Sequence, residues 1–435
     1  MSKKNFFIKH FLQIKKEGIK TFLKKLIRLL SIFFQLPIYL ISIPIFIIIF
    51  LIKPWYLIRW NQLRASRIGH FAVNTELYCC ERDANINFPK QKYKDFFYLS
   101  SYISNKTLEK MWRRSITILP QWLVKPIHMI SNFFYFILGK KNIHEINNPT
   151  NGYWDTHNLI DKFNSHINFT EDEEIEGKEI LEKIGLPKNA KFVCLMVRDE
   201  GYLNRYSEQE NSARWDYHNY RNGDINKYVM AAEELAARGY YVFRMGTNVK
   251  KLLKSSNNKI IDYANSATRS DFMDIYLGAK CSFCITSACG FDGIPVIFRR
   301  PIAYIVVPIG LCFPISKNFL LLTKHHVNSL TQKELSISEI FSSNVGMAYS
   351  MKEFKDNNIE LHENTSEEIR DLVIEMDDRI KEKWHETDED ILLQKSFWLI
   401  FEKCVNNLDP HPEQYGKIKA KFSAQYLREN KHWVK

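Results

Sequence analysis

Apolar and polar positions follow three regimes along this chain. Over residues 1–28, Phe6, Phe7, His10, Phe11, Ile14, Phe22, Leu23 and Leu26 recur at three- and four-residue steps with lysines between them, the pattern of a basic amphipathic helix lying on anionic lipid. From Leu29 to Ile52 no residue is charged, and the run "LLSIFFQLPIYLISIPIFIIIFLI" is long enough as a helix to cross about 30 Å of hydrocarbon. Residues 29–53 therefore read as a membrane-embedded segment. Pro37 and Pro44 inside it allow either a crossing or a bend into a re-entrant hairpin. A cleaved signal peptide fits poorly, because the apolar run is too long and no A-x-A-like site follows it.

Beyond Trp60 the apolar runs shorten and alternate with helical spacing. The stretch 60–185 offers "SRIGHFAVNTELYCCERD" as strand, glycine and helix, "DFFYLSS" as a strand, and "NKTLEKMWRR" as a helix capped by Asn105 or Thr107. An apolar helix, "QWLVKPIHMISNFFYFIL", is expected to break at Pro126, and the acidic helix "TEDEEIEGKEILEKIGLP" to end at Gly185. From 190 to 345 the pattern is regular. Strands "KFVCLMV", "YYVFRMG", "KIIDYA" and "CSFCITSA" alternate with helices "INKYVMAAEELAARG" and "SDFMDIYLGAK", followed by a turn at "CGFDGIPVIF". Such alternation predicts βαβ units and a parallel sheet. Residues 346–435 read as C-terminal helices, the first of them capped by Glu363 and Asn364.

Length and charge refine this picture. At 435 residues the chain exceeds one ordinary core, so two domains are expected beyond the membrane segment. The net charge of +12 is concentrated in the N-terminal tail, where lysines and one arginine face only Glu17. A nucleic-acid-binding arm would waste the aromatic and aliphatic residues on one face of that tail, so no nucleic-acid partner is expected. The eight cysteines sit mostly in strand-like apolar surroundings, as reduced core thiols do. Cys281 and Cys284 form a C-x-x-C without a second pair, so no metal site is assigned. The D-x-D at Asp388 to Asp390 falls between helices and reads as surface.

Ligands of open parallel sheets bind beyond the carboxyl ends of strands. After the first strand of the regular region come Arg198 and Asp199, then a polar loop with His218, Arg221 and Asn222; after the second come Arg244 and Gly246. Thr286, Ser287, Gly290, Asp292 and Gly293 follow the fourth. Two strand-end arginines beside a turn of small residues make a diphosphate pocket, since guanidinium forks pair with phosphate oxygens and small residues let backbone N–H groups approach. The competing reading of each arginine is an ion pair with a nearby aspartate such as Asp199 or Asp271.

The order "VRDEGY", "YRNGDINKYVMAAEELAARGYYVFRMG", "IIDYANSATRSDFMDIYLGAKCSFCITSACGFDGIPVIF" and "IELHENTSEEIRDLVIEMDDRI" resembles a bacterial family of glycosyltransferases from surface-polysaccharide clusters. "SRIGHF" at residues 66–71 looks like that family's opening strand-loop, and "VCLMVRDEGY" is distantly similar to the arginine-bearing loop of GT-B fucosyltransferases, with Val-Arg-Asp in place of His-x-Arg. The resemblance implies an α/β protein with two Rossmann-like domains (GT-B) preceded by the membrane-associated helical segment: an acceptor domain at 60–185 and a nucleotide-sugar domain at 190–345. The donor-binding set it implies is Arg198, Arg221, Asn222, Arg244, Gly246, Asp271, Thr286, Ser287, Gly290, Asp292 and Gly293. GT-B enzymes need no metal or cofactor, because basic side chains and a helix N-terminus stabilise the departing diphosphate. His70, directly after Gly69, is the first candidate for the base that an inverting transfer needs, with His218 and Asp199 as reserves.

The expectation is thus a glycosyltransferase of lipopolysaccharide or other envelope polysaccharide synthesis at the cytoplasmic face of the bacterial inner membrane. It takes a nucleotide-sugar donor and a lipid-linked or glycan acceptor, and it rests on anionic lipids. The alternatives are a pyruvyl or other group transferase and a non-enzymatic membrane scaffold.

Overall fold

The structure, a computed structural model, describes residues 19–146, 155–199, 201, 216–311, 316–408 and 416–434. In chain order these form α1 (Ile19–Ile52), β1 (Leu57–Leu63), α2 (Ile68–Asp83), β2 (Tyr93–Leu99), α3 (Lys106–Ser115), α4 (Gln121–Ile137) and α5 (Glu171–Lys183). There follow β3 (Phe192–Met196), α6 (Val229–Ala237), β4 (Tyr241–Arg244), β5 (Ile260–Ile261), α7 (Asp271–Lys280), β6 (Cys284–Thr286), α8 (Gly293–Ile297), β7 (Ile302–Val306) and β8 (Phe319–Thr323). The C-terminal part adds β9 (His325–Asn328), α9 (Ile337–Ser342), α10 (Met351–Asp356), β10 (Ile359–His362), α11 (Ser366–Ile380), α12 (Asp388–Asn406), β11 (Lys421–Phe422) and α13 (Ala424–Glu429). Contacts divide the chain into two units: Met1–Leu63 with Pro89–Ser101 and Ile116–Asn147, and Arg64–Phe88 with Tyr102–Ser115 and Asn148–Lys435.

In the first unit β1 and β2 pair in parallel, with Arg59 opposite Asp95. These two side chains are buried and joined by two hydrogen bonds, Nε to Oδ1 at 2.8 Å and Nη2 to Oδ2 at 2.7 Å. A one-residue slip would bury both charges unpaired, so the bridge fixes register. Val124, Ile127 and Tyr135 of α4 pack with Trp60, Tyr98 and Phe46. The helix runs unbroken through Pro126, where the sequence reading placed a break. Pro126 sits in the second turn, and its missing N–H and its ring disturb only the carbonyl of Trp122, next to the helix start. The hairpin considered for residues 29–53 is likewise absent: α1 is one helix containing Pro37 and Pro44, with the Ser42 hydroxyl donating to the Ile38 carbonyl. Among the described residues no helix is long and apolar enough to cross a membrane. The amphipathic helix expected over residues 1–28 lies outside the described residues, apart from the backbone helix from Ile19.

The second unit is built on a seven-stranded sheet in the order β11-β8-β7-β6-β3-β4-β5, parallel throughout. Strands β3, β6, β7 and β8 are apolar along their length and almost wholly buried, as strands covered on both faces are. The protein is therefore mixed α/β around a parallel sheet.

Within 60–185, β1 and β2 pair in parallel, further parallel bridges join Phe97 to Ile118 and Trp60 to Glu145, and α2 and α3 belong to the second unit. Residues 346–435 belong to the second unit as well. Strand β11 extends the main sheet beside β8, and Phe422 is buried against Phe397 with ring centroids 4.3 Å apart.

Two end-of-helix readings also change. Thr365 caps α11 in a capping box with Glu368, while Glu363 accepts from the Asp224 amide and Asn364 donates to the Thr323 carbonyl. Asp390 is not surface: it closes the capping box of Thr387 on α12, bonds Arg428 and is 1 % exposed. A D-x-D at a helix start serves the cap and the dipole before it serves any ligand.

The C-terminal segment is tied to the sheet by His325, whose ring nitrogens lie 2.6 Å from Glu334 and 2.9 Å from Glu368. These carboxylates outweigh burial and raise the imidazole to about 9. The folded value lies above the ordinary 6.5, so the stabilisation is complete below about pH 6.5 and lost as pH rises through 9. Thermal melts between pH 6.5 and 9.5 should show a falling Tm in the native protein and a distinctly flatter profile in His325→Gln.

Candidate functional site

Strand order decides where a ligand can enter. From β3 the chain steps outward to β4 and β5, then returns across β3 to place β6 on its other side and continues to β7 and β8. Between β3 and β6 the connections diverge, which opens a crevice at the carboxyl ends of these strands. A cavity of about 770 Å³ occupies it, lined from Met196 to Asp199 after β3 and from Ala288 to Gly293 after β6. Volumes of this order hold a cofactor-sized ligand.

The two lips of the crevice are joined by a hydrogen bond from the Arg198 amide to the Ser287 hydroxyl at 2.7 Å. The next residue, Ala288, has a left-handed backbone at φ 51°, strain that a non-glycine residue bears at few places outside functional turns. Beyond it the residues expected to form a turn instead form a 3-10 turn and α8. A Cβ added at Gly293 would lie 3.0 Å from the Gly69 Cα, so this glycine allows α2 to start against the turn after β6. Arg67, Ile68, Gly69 and His70 line the cavity, and α2 begins at Arg67 without a side-chain cap. The positive end of a sixteen-residue helix thus faces the cavity.

Around that helix end several basic groups gather. Arg198 is held by the His218 carbonyl at 2.6 Å and Asn222 at 2.8 Å. Burial, with Arg221 as a second cause, lowers its guanidinium to about 10. Burial and then Arg221, Arg198 and Arg67 press His218 down to about 3. Burial, Arg64 and Arg67 do the same to His70, which falls to about 4. Arg221 carries a buried Nε without a hydrogen-bond partner among the described residues. Cations gathered this closely suit an anion.

The cavity's carboxylates are mostly committed elsewhere. Arg269 pairs with Asp274 at 2.7 Å, Asp271 accepts from the Lys106 amide, and Asp161 accepts from Ser316 and Lys419. Asp155 accepts the amides of Leu159 and Ile160. Asp292 accepts the Cys289 amide at 3.0 Å, and burial lifts it to about 7.

Of the residues singled out in the sequence, His70, Arg198, Asp199, His218, Arg221, Gly246, Asp271, Gly290, Asp292 and Gly293 line this one cavity. Four do not. Arg244 is 1 % exposed and donates to Asp262 and the Lys251 carbonyl, with Asp199 3.9 Å away, so the ion-pair reading holds for it. Asn222 and Ser287 position Arg198, and Thr286 is buried beneath the turn, 3.7 Å from the Cys289 sulfur. Asp199, offered as a reserve base, spends its two oxygens on the Gly201 and Lys250 amides. Sequence reading missed Arg64 and Arg67 as site residues. Their spacing of three ahead of an uncapped helix start was the available signal.

Away from the cavity, Glu76, Cys80 and His166 hold metal-ligand atoms within 4.8 Å of one another. The Arg299 guanidinium lies 2.5 Å from the Glu76 carboxylate and 3.7 Å from the Cys80 sulfur, and His166 bridges Glu76 and Asp83. A fixed cation already balances this cluster, which reads as a buried ion-pair network.

No protein-family model matches the chain, nor does any curated protein. Among solved structures it is similar to E. coli ADP-heptose LPS heptosyltransferase II, at 10% identity and TM-score 0.36, over 61% of this chain and 90% of that one. It is also similar to a glycosyl transferase family 9 protein of Veillonella parvula, at 11% identity and TM-score 0.38, over 62% and 86%. A third is E. coli heptosyltransferase WaaC with ADP-2-deoxy-2-fluoro heptose, at 12% and 0.31, over 61% and 93%.

Inorganic pyrophosphate should raise the Tm at low salt and less at high salt, since the attraction is screened. Arg221→Met should weaken that binding at least about ten-fold, as loss of a charge-assisted contact does. Without ligand the same variant should be as stable as the native protein or slightly more so, because a buried like-charge repulsion is removed.

Proposed function

We propose that the protein is a glycosyltransferase that binds a nucleoside-diphosphate sugar in the crevice between β3 and β6. It transfers the sugar to a lipid-linked or polysaccharide acceptor in envelope glycan synthesis. The observation that carries this reading is the meeting of Arg67, Arg198 and Arg221 with the uncapped start of α2 at a topological switch point. The family resemblance of the segments around Arg198, Arg221 and Asp292 supports it. In this reading the crevice of the parallel sheet serves as the donor half of a GT-B enzyme.

The chemistry follows from the charges. As the glycosidic bond to the diphosphate breaks, negative charge grows on the departing phosphate oxygen; Arg198, Arg221 and the α2 amides stabilise it with no rearrangement at the moment of reaction. The acceptor hydroxyl must lose its proton to a nearby base. His70 is neutral at pH 7, its basicity suppressed by burial and then by Arg64 and Arg67. A bound diphosphate offsets those charges and restores part of it, so that donor binding prepares the base. His218, under the same cations, is the second candidate, and Asp292, raised to about 7, is matched to proton transfer at neutral pH.

A nucleoside-diphosphate sugar is a soluble donor of the cell interior, and a lipid-linked acceptor accounts for an apolar N-terminal segment. We therefore also place the protein at the cytoplasmic face of the bacterial inner membrane.

A thermal-shift panel of UDP, GDP, ADP, CMP and phosphoenolpyruvate tests the donor class. One nucleoside diphosphate should raise the Tm, and Arg198→Ala should abolish the shift. Stabilisation by phosphoenolpyruvate alone would transfer the reading to a pyruvyl transferase, and silence from every ligand would leave a scaffold.

A further inference from the structure

The first unit carries an apolar surface that its own core does not need. Helices α1 and α4 run side by side in the same direction: the Tyr39 hydroxyl donates to the Met129 sulfur at 3.1 Å, and Phe46 and Phe50 meet Phe134 at 5.5 and 4.9 Å between centroids. The inner face of α4, at Val124, Ile127 and Tyr135, is spent on Trp60 and Tyr98. Its opposite stripe, Met129, Phe133 and Phe136, is exposed, Phe136 to 81%. Alongside, Ile41, Ile48 and Leu51 of α1 are exposed to half or more. Helical spacing makes each set one stripe, and two adjacent apolar stripes form the kind of contiguous exposed surface that marks an interaction face.

The charges around this surface select its partner. Neither α1 nor α4 contains an aspartate or glutamate. At the end where both helices finish stand Lys53, Lys140 and Lys141, with Trp55, 75% exposed, and Tyr56 directly after α1. Apolar side chains bordered by tryptophan, tyrosine and lysines match the boundary between acyl chains and anionic headgroups.

We propose that the exposed faces of α1 and α4 form one lipid-facing surface that enters the leaflet of an anionic bilayer. Membrane attachment then involves residues 121–137 as well as the N-terminal segment. The inference deepens the membrane placement proposed above and is independent of the nucleotide reading.

The test uses the full chain with Cys404→Ser, labelled in parallel to measure reaction at the remaining native thiols, an environment-sensitive fluorophore on Phe136→Cys, and a second sample labelled on Ile175→Cys as the control. Vesicles of phosphatidylcholine and phosphatidylglycerol carry nitroxides on their acyl chains. The label at position 136 should shift to the blue and be quenched by the nitroxides, and the label at 175 should not. Phe133→Glu with Phe136→Glu should lower vesicle partitioning about ten-fold while the thermal shift with pyrophosphate persists. A label at 136 that stays water-like on vesicle-bound protein would overturn the proposal. So would one already blue-shifted without lipid, in a sedimenting dimer if the face covers a second copy or in a monomer if the chain covers itself. Pyrophosphate binding measured on the same samples separates failure of this surface from failure of the donor site.

Discussion

The hydrogen bond between the Arg198 amide and the Ser287 hydroxyl closes the one place where the parallel sheet is open. A parallel sheet that changes winding direction must leave a gap where its connections part, because each crossover is drawn to its own side. Here the gap lies between β3 and β6, and nearly everything in the candidate site hangs from its two lips. Asn222 reaches the Arg198 side chain, the strained Ala288 turns the chain out of β6, and Gly293 lets α2 settle against that turn.

Basic groups converge at the candidate site. Elsewhere in the second unit buried charges are balanced inside the protein: Arg244 by Asp262, Arg238 by Asp377 and Asp378, Arg299 by Glu76. Beside the α2 start, burial first and neighbouring cations second depress Arg198, His70 and His218. Holding like charges in a low-dielectric crevice costs stability, and an anion that binds there recovers it. The same contrast distinguishes the two units, since the first keeps Arg59 and Asp95 paired inside while leaving phenylalanines and isoleucines outside.

Much of the fold was legible in sequence because it depends on local periodicity. Strands β3, β4 and β6, helices α3, α5, α7 and α11, and the Asn105 cap follow from runs, spacing and capping residues that act within a few positions. The ends of strands followed as well, which is why Arg198, Arg221, Asp292 and Gly293, named from the sequence, line one cavity. Pro37, Pro44 and Pro126 misled, since a proline disturbs one turn and packing on either side can carry the helix through it.

The sequence by itself determined the alternation that makes a parallel sheet, the positions at strand ends where polar groups could gather, and the concentration of apolar and basic residues near the N-terminus. Only the tertiary structure decided that Arg244 is spent on Asp262 while Arg221 is kept for the cavity, that α2 belongs with the second unit, and that α4 lies beside α1 with its outer face bare. Those outcomes depend on which distant groups meet, as Arg198 meets Ser287 across 89 positions, and no local pattern encodes the partner of a charge.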